Sequence, residues 1–223
     1  MTKAVKNKLL NHLNFLSSIG YTYSQPLKLH NVNPLDVSLP NNYEVLRSMA
    51  LNCNLCELSK SRTNVVFGDG NINADIMFIG ESPAASEDEL AKFYVGKSGQ
   101  LLVKMIENVL NISVNDVYIT NNVKCKPSNT KTATPNEVKI CKPYLDKQIE
   151  IIQPKLIVAL GDLSYRHFTA DSADFSQIRG KVTKYNNIDV IATFHPSFLL
   201  RNPSAKKEAY HDMLKIKSIM ESF

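Results

Sequence analysis

The chain has 223 residues, of which 43% are hydrophobic, and its 26 Lys and Arg against 21 Asp and Glu give a formal net charge of +5. This length and apolar content allow one domain, or at most two, with a substantial core. No apolar run approaches the roughly 18 residues of a membrane span, and the first residues lack the apolar core of a secretion signal. We therefore expect a cytoplasmic protein without a membrane partner, whose small basic excess is compatible with a polyanionic one.

The first 45 residues contain a helical pattern followed by a stretch with several prolines. Residues 3 to 19 carry apolar side chains at helical spacing, which predicts an amphipathic helix. Residues 21 to 42 contain Pro26, Pro34 and Pro40, which favours a strap without regular structure. We predict an N-terminal helical extension and strap over residues 1 to 45 and a main domain over residues 46 to 223. A further helix is predicted at about residues 43 to 53, where the strap leads into the main domain.

Four short apolar runs have the character of fully buried strands and occupy residues 75 to 80, 117 to 121, 155 to 161 and 189 to 195. Helical patterns alternate with them at residues 99 to 110, 136 to 152, 163 to 168 and 204 to 220. This alternation predicts an α/β fold, a three-layer α/β/α sandwich around a central four-stranded parallel sheet. Ligands of such sheets bind beyond the carboxyl ends of the strands, which are marked here by Gly80, Glu81, Asn121, Gly161 and His195.

All four cysteines of the chain fall into an ordered pattern: Cys53 and Cys56 form a Cys-x2-Cys pair, and Cys125 and Cys141 follow later. Disulfides are rare in a reducing compartment, so the pattern points to a metal site. Four soft sulfur ligands suit either a tetrahedral zinc ion or a [4Fe-4S] cluster, and the residues alone do not separate the two. The alternative is four unrelated buried thiols, which the close pair disfavours.

The chain resembles the family 4 uracil-DNA glycosylases, the iron-sulfur branch of the uracil-DNA glycosylase superfamily. Besides Cys53, Cys56, Leu58 and Arg62, the matching segments are VFGDG (66 to 70), GESP (80 to 83), FYVGKSG (93 to 99), YITNNVKC (118 to 125), PKLI (154 to 157) and HPSFLLR (195 to 201). The resemblance runs from about residue 53 to residue 212. It implies a [4Fe-4S] cluster held by the four cysteines, with zinc the less favoured metal.

The same resemblance implies a monofunctional DNA glycosylase, which flips uracil out of DNA and hydrolyses its N-glycosidic bond in base excision repair. His195 would stabilise the uracil anion by donating a hydrogen bond, as preorganised donors do. Taken alone, a histidine before a proline at a strand end is more often structural. Asn121 would read the base edge, and Tyr94 would stack on the base in place of the family's usual Phe.

Glu81 would lie in the uracil pocket by the same resemblance, with Gly80 and Ser82 offering backbone contacts and Glu87 as a second candidate for the pocket wall. Whether Glu81 positions water, closes the pocket against a C5 methyl group or holds its loop stays open. Ala84 replaces the family's usual Gly and is similar to family 5 enzymes, which opens the possibility of broader deaminated-base specificity.

Leu199, Leu200 and Arg201 resemble the superfamily's DNA insertion loop, in which apolar side chains fill the gap left by a flipped base and a cation meets phosphate. The leucines are equally compatible with an ordinary core. We expect a monomer whose partner is uracil-containing DNA, single- or double-stranded. The alternatives are a damaged-DNA-binding module without strong catalysis, and an unrelated metalloenzyme suggested only by the cysteines.

Overall fold

The structure is a computed structural model that describes residues 39–128, 132–166, 168–169 and 173–223. The described residues fall within the second of the two units into which the chain divides, Leu39–Phe223. The predicted N-terminal helix and most of the predicted strap lie outside the described residues.

A six-stranded mixed sheet forms the centre of the second unit, in the order β1-β3-β2-β4-β6-β5. Its four inner strands run parallel and are β3 (Tyr118–Asn121), β2 (Ile76–Gly80), β4 (Leu156–Leu160) and β6 (Ile188–Thr193). These are the four predicted strands, so the predicted parallel sheet is confirmed. Fully buried strands are apolar along their whole length, which makes them visible in the sequence.

Two antiparallel strands, which the sequence analysis missed, extend the sheet at its edges. They are β1 (Asp69–Gly70), which pairs with β3, and β5 (Val182–Tyr185), which pairs with β6. Both residues of β1 are exposed, and β5 alternates exposed and half-buried positions. Edge strands bury little apolar surface, so neither of them produces a continuous apolar run.

The helices lie between and beside the strands. They are α1 (Tyr43–Leu51), α2 (Ala85–Leu90), α3 (Lys97–Met105), α4 (Pro135–Ile152), α5 (Asp162–Arg166), α6 (Phe175–Ile178), α7 (Pro196–Arg201) and α8 (Lys206–Met220). A π-helical turn at Ile106–Leu110 prolongs α3, and single 3-10 turns lie at Glu57–Lys60, Val114–Asp116 and Pro203–Ala205. The start of α4 is encoded locally, because Thr134 and Glu137 form a reciprocal capping box around Pro135.

Two apolar cores cover the two faces of the sheet. Alternate strand residues point to opposite faces, so Phe78 joins the core that α3, α7 and α8 cover, while Ile79 joins the core beneath α4 and α5. Helices on both faces of the sheet confirm the predicted three-layer sandwich. Among the described residues, no helix has both the length and the apolar character needed to cross a membrane.

A third, smaller cluster forms beside the sheet and includes the cysteines. Leu46 and Ala50 of α1 pack there with Phe67, Val123 and Tyr144, and the cysteines adjoin them. The segments before β2, after β3 and along α4 thus meet at one place. This clustering brings together cysteines that are far apart in the chain.

Candidate active site

The carboxyl ends of β2, β3 and β6 meet around one narrow cavity, which we call the strand-end cavity. Its lining residues are Gly80, Ser82, Ala84, Ser86, Glu87, Phe93, Gly96, Ser98, Gly99, Leu102, Ile119, Thr120, Asn121, Leu160, His195 and Pro196. The register explains the meeting, because Gly80 pairs with Asn121 and β6 ends two residues before His195. The structure therefore brings together five of the residues predicted to form the catalytic and substrate-binding site: Gly80, Ser82, Glu87, Asn121 and His195.

Gly80 provides the space in which two polar side chains converge. A Cβ atom at this position would overlap Oδ1 of Asn121 and would lie 3.8 Å from Nε2 of His195. Any larger residue would displace the amide or narrow the opening between amide and ring. The absence of a side chain at Gly80 is therefore a local requirement of the cavity.

His195 is held by the start of α7. Its Nδ1 accepts a hydrogen bond from the backbone N–H of Ser197 at 3.1 Å and lies 2.7 Å from the Ser197 hydroxyl. Burial, assisted by the positive charge of Arg201, lowers the pKa of His195 to about 4. The ring is therefore neutral at neutral pH, and because Nδ1 accepts, its proton lies on Nε2. This Nε2–H group faces the Gly80 side of the cavity.

Asn121 has a side chain with an unused donor. The residue is 5% exposed, and its Nδ2 has no hydrogen-bond partner in the described part of the chain. Its backbone is fixed, since its carbonyl oxygen accepts from Nζ of Lys124 at 2.6 Å. A buried donor without a partner costs about 1–3 kcal/mol. The amide is thus positioned for an acceptor that the protein itself does not provide.

The two candidate carboxylates lie in different places. Glu87 lines the strand-end cavity and caps α2, because its carboxylate accepts from the backbone N–H groups of Ala84, at 3.0 Å, and Tyr94. Glu81 lines a wider neighbouring groove instead. Burial raises the pKa of both carboxyl groups above their ordinary value. The two carboxylates, predicted as candidates for one pocket wall, therefore line separate spaces.

Tyr94 is not among the residues that line the strand-end cavity, whereas its neighbour Phe93 is. Tyr94 adopts a left-handed backbone with φ of 65°, and Gly99 is needed beside it because a Cβ there would overlap the Tyr94 backbone. The Tyr94 hydroxyl is buried without a hydrogen-bond partner among the described residues, and burial raises its pKa far above the ordinary value. Phe93 was not predicted as a site residue, although it adjoins Tyr94 in the same motif.

A wide groove of about 730 Å³ opens beside the cavity, and we call it the adjoining groove. Its lining residues are Glu81, Ser82, Pro83, Ala84, Ala85, Ser98, Lys126, Pro127, Leu160, Gly161, Asp162, Leu163, Phe175, Phe194, His195, Ser197, Phe198 and Arg201. Ser82, Ala84, Ser98, Leu160 and His195 line both spaces. The groove and the cavity therefore adjoin each other.

The predicted DNA insertion loop separates into core and surface residues. Leu199 is 2% exposed and belongs to the core beneath α3 and α8, which corresponds to the core alternative and leaves it no surface for DNA. Leu200 is 42% exposed, and Arg201 lines the groove. Phe198, which the sequence analysis did not single out, is 37% exposed and lines the groove as well. The direction of each side chain on α7 causes this division.

The four cysteines line one cavity, which we call the cysteine site, together with Arg62, Lys124 and Tyr144 among others. None of the four forms a disulfide. Within the described part of the chain, no three His, Cys, Asp or Glu side chains are grouped so that they would hold a single metal ion. The sulfur atoms thus surround a common space without the close grouping of a one-ion site.

Each sulfur of the cysteine site has at least one hydrogen-bond donor. Cys125 accepts from the Arg62 guanidinium at 3.1 Å. The other donors are the Tyr144 hydroxyl to Cys53, the Lys124 backbone N–H to Cys141, and the backbone N–H groups of Leu58 and Ser59 to Cys56. Burial nevertheless raises the pKa of the Cys141 thiol to about 11. A bound metal is what would hold this sulfur as a thiolate at neutral pH.

Known proteins match the chain over most of the described unit. The profile of the Uracil DNA glycosylase superfamily matches residues 67–215. A type-4 uracil-DNA glycosylase of Sulfurisphaera tokodaii is 40% identical over 184 residues, covering 79% of this chain and 84% of the relative. A type-4 enzyme of Thermotoga maritima is 39% identical over 80% of this chain and 94% of its own length. A type-5 enzyme of Pyrobaculum aerophilum is 32% identical over 57% of this chain and 63% of its own length.

The superfamily profile spans every residue that lines the strand-end cavity, and the two type-4 matches each extend over about four fifths of this chain. The chain accordingly belongs to the uracil-DNA glycosylase superfamily, in its type-4 branch.

Proposed function

We propose that this chain is a monofunctional glycosylase that hydrolyses the N-glycosidic bond of uracil in DNA during base excision repair. The observation that carries the proposal is the convergence of the His195 Nε2 and the Asn121 amide beside Gly80. The names of the type-4 relatives support the choice of uracil as the base.

His195 acts on the leaving group. Breaking the bond between uracil and deoxyribose leaves negative charge on the base, and a donor aimed at its O2 atom lowers the barrier. The neutral imidazole donates through Nε2–H, while Ser197 holds Nδ1 as an acceptor. A pKa of about 4 keeps the ring in this single form across the neutral range. The proton stays on His195 and the charge stays on the base.

Asn121 selects the base. Its free Nδ2 donates to O4 of uracil, and its Oδ1 accepts from N3–H. Cytosine presents the reverse pattern at these two positions, with a donor at N4 and an acceptor at N3. Binding cytosine would therefore place the Nδ2 donor against the N4 donor and the Oδ1 acceptor against the N3 acceptor, in a buried site.

The remaining pocket residues enclose the base and the sugar. Gly80, Ser82 and Glu87 form the wall of the strand-end cavity. We assign base stacking to the motif that holds Phe93 and Tyr94, with Tyr94 as the ring carried over from the family. Glu81 faces the groove rather than the cavity, which favours a place near the deoxyribose and its attacking water over contact with the base edge.

The cysteine site fits a [4Fe-4S] cluster held by Cys53, Cys56, Cys125 and Cys141. Four thiolates suit such a cluster, each sulfur has a donor, and the side chains of Arg62 and Lys124 lie beside the sulfurs. When bound, the cluster would join the start of the domain to α4. Iron and sulfide analysis of the purified protein would test this assignment, and stoichiometric zinc without iron would overturn it.

DNA would lie along the adjoining groove, where Arg201 meets phosphate and the exposed Leu200 touches the duplex or the displaced strand. We further propose that the protein acts as a monomer in the cytoplasm, with residues 46–223 as the catalytic domain and residues 1–45 as an extension. Measuring the molecular mass in solution would test the monomer. Measuring the activity of a chain that lacks residues 1–38 would test whether the N-terminal extension is dispensable for catalysis.

The activity is tested with a labelled single-stranded oligonucleotide that contains one uracil, followed by alkaline cleavage. We expect cleavage at the uracil with wild-type protein and a large loss with His195→Ala, while Phe223→Ala serves as a variant far from the cavity. A wild-type protein that releases no uracil over a broad range of salt and pH would disprove the proposal.

A broader specificity is the second candidate, and one residue favours it. Ala84 lines both the cavity and the groove where the family usually has Gly, and a type-5 enzyme is among the matches. Oligonucleotides with hypoxanthine in place of uracil would measure this breadth. Restoring the family residue with Ala84→Gly should then change the ratio of the two rates.

A further inference from the structure

Three flat groups form a continuous stack that leads to the adjoining groove. The Arg179 guanidinium lies 4.8 Å from the centroid of the Phe194 ring. The Phe194 and Phe198 rings are parallel within 6°, with centroids 5.1 Å apart. The edge of Phe175 meets Phe194 at 5.6 Å and 66°. The stack therefore runs from Arg179 through Phe194 to Phe198, with Phe175 beside it.

Arg179, at the inner end, is fixed by ion pairs. Its guanidinium contacts the carboxylate of Asp212 at 2.7 Å and that of Glu208 at 2.7 Å. Asp212 is 2% exposed and also accepts from the Thr193 hydroxyl at 2.9 Å. Because Thr193 ends β6, the whole stack is tied to the sheet and to α8. An aromatic surface held in this way loses little conformational entropy when it binds a ligand.

The outer end of the stack is open. Phe198 is 37% exposed, and all three phenylalanines line the adjoining groove. The cations Lys126 and Arg201 line the same groove. The groove also contains the carboxylates of Glu81 and Asp162, of which Asp162 forms an ion pair with Arg166 at 2.8 Å. Exposed rings next to cations are the combination that binds single-stranded nucleic acid, since bases stack on the rings and phosphates meet the cations.

We propose that Phe198, supported by Phe194, is a stacking platform for the base next to the excised uracil in single-stranded DNA. This inference rests on the proposed function. The position of the groove carries it: the groove shares five lining residues with the strand-end cavity, so a strand that places one nucleotide in the cavity would lead its neighbour into the groove. Stacking on a flat ring is tolerant of sequence, so the platform would accept any base.

A double-mutant cycle between protein and DNA tests the platform directly. The probe is a fluorescein-labelled single-stranded oligonucleotide with 2′-deoxypseudouridine at the target, whose carbon–carbon linkage cannot be hydrolysed. Two further probes carry an abasic residue on one or the other side of the target. We expect Phe198→Ala to weaken binding of the intact probe about tenfold or more, the scale of one lost base–aromatic stack.

The cycle has one diagnostic outcome. On the probe that is abasic at the stacked side, wild-type binding should already be weakened, and Phe198→Ala should add little, because ring and base lose the same contact. Equal weakening by Phe198→Ala on all three probes would overturn the inference and would indicate a contact with the backbone. Unchanged affinity of the variant for the intact probe would also overturn it.

Matched variants separate stacking from apolar contact. Phe198→Trp keeps a flat ring and should retain affinity, whereas Phe198→Leu should bind as weakly as Phe198→Ala. Full affinity of Phe198→Leu would contradict stacking. Phe223 is 44% exposed and contacts Lys155, which lies just before β4. It is therefore an exposed phenylalanine near the amino end of this strand, whereas the cavity lies at the carboxyl ends. Phe223→Ala should therefore bind every probe like the wild type.

A measurement on the wild-type protein covers the case in which a Phe198 variant fails to fold. With 5-iododeoxycytidine beside the target, irradiation should crosslink the DNA to Phe198, identified by mass spectrometry of the digested complex. A crosslink elsewhere with Phe198 unmodified would overturn the inference. If the wild type releases no uracil, the proposed function fails; if it releases uracil but the cycle shows no coupling, only the platform fails.

Discussion

The strand-end cavity and the cysteine site are built from neighbouring parts of the chain, yet they treat their polar groups in opposite ways. In the cavity, the Asn121 amide has a donor without a partner in the described part of the chain, and Gly80 keeps space beside it. In the cysteine site, every sulfur already has a donor from the protein. A polar group without a hydrogen-bond partner suits a ligand that binds reversibly, whereas groups that already have partners suit a permanent part of the structure.

The contrast separates binding chemistry from structural chemistry within a single fold. A free donor in a buried site costs stability and is retained where a substrate acceptor can use it. Sulfurs that each have a donor lose less on burial and suit a group that stays bound. Lys124 joins the two regions, because its Nζ donates to the Asn121 carbonyl and its backbone N–H donates to Cys141.

The largest effect is expected from Cys141→Ser. If the cysteine site holds a structural cluster, losing one ligand should release iron and lower the free energy of unfolding by several kcal/mol, since metal binding contributes directly to folding. Iron content and thermal unfolding measure both. Met49→Ala, on the exposed side of α1, is a control with a small expected change. A variant that keeps its stability and has no iron to lose would contradict a structural cluster.

His195→Ala should affect catalysis and leave the cysteine site intact. Removing one preorganised donor should lower the single-turnover rate about 10²- to 10³-fold. Affinity for uracil-containing DNA and iron content should change little. A similar loss of iron in this variant would show that the two regions are not separable.

Lys124→Met should weaken the support of Asn121 in the strand-end cavity. The substitution keeps the apolar stem and removes the ammonium that donates to the Asn121 carbonyl and, at 2.7 Å, to the Thr120 hydroxyl. Buried acceptors left without donors should cost about 1–3 kcal/mol of unfolding free energy, measured by denaturant titration. Lys124→Arg reports whether charge alone suffices. An unchanged stability would mean that the two acceptors find other donors.

Asn121→Asp should act on selectivity rather than stability. The carboxylate has the shape of the amide but lacks the Nδ2 donor that faces the cavity, so the O4 contact to uracil is lost. We expect a loss of about 1–3 kcal/mol in kcat/KM for uracil, with a smaller preference for uracil over cytosine. Retained selectivity would place base reading elsewhere.

The last effect concerns pH. Burial lowers the folded-state pKa of His195 from 6.5 to about 4, so the unfolded chain binds more protons between these values. The stability contributed by neutral His195 should be complete above pH 6.5 and should be lost as pH falls toward 4. Denaturant titrations of wild type and His195→Ala should converge in this window. Parallel curves would contradict the shifted pKa.

Residues that mark the ends of buried strands were predictable from the sequence. The apolar runs before Gly80, Asn121 and His195 identify three strand ends, and parallel strands place such ends at one edge. The edge strands β1 and β5 were not predictable, because exposed side chains leave no apolar run. The four cysteines were likewise grouped by their residue type and pattern.

Choices between neighbouring residues depended on the tertiary structure. The sequence does not say whether Phe93 or Tyr94 lines the cavity, or which of Leu199 and Leu200 is buried. Both outcomes depend on how a short turn or helix packs against distant segments.

Residue patterns were enough to predict the parallel sheet, the family, the strand-end residues and the cysteine set, because buried strands and soft metal ligands leave local, countable patterns. The folded chain was needed to show that Glu81 and Glu87 line different spaces and that Arg179, Phe194 and Phe198 form one stack. The reason is physical: side-chain direction depends on contacts between parts of the chain that are far apart in sequence, and no local pattern records them.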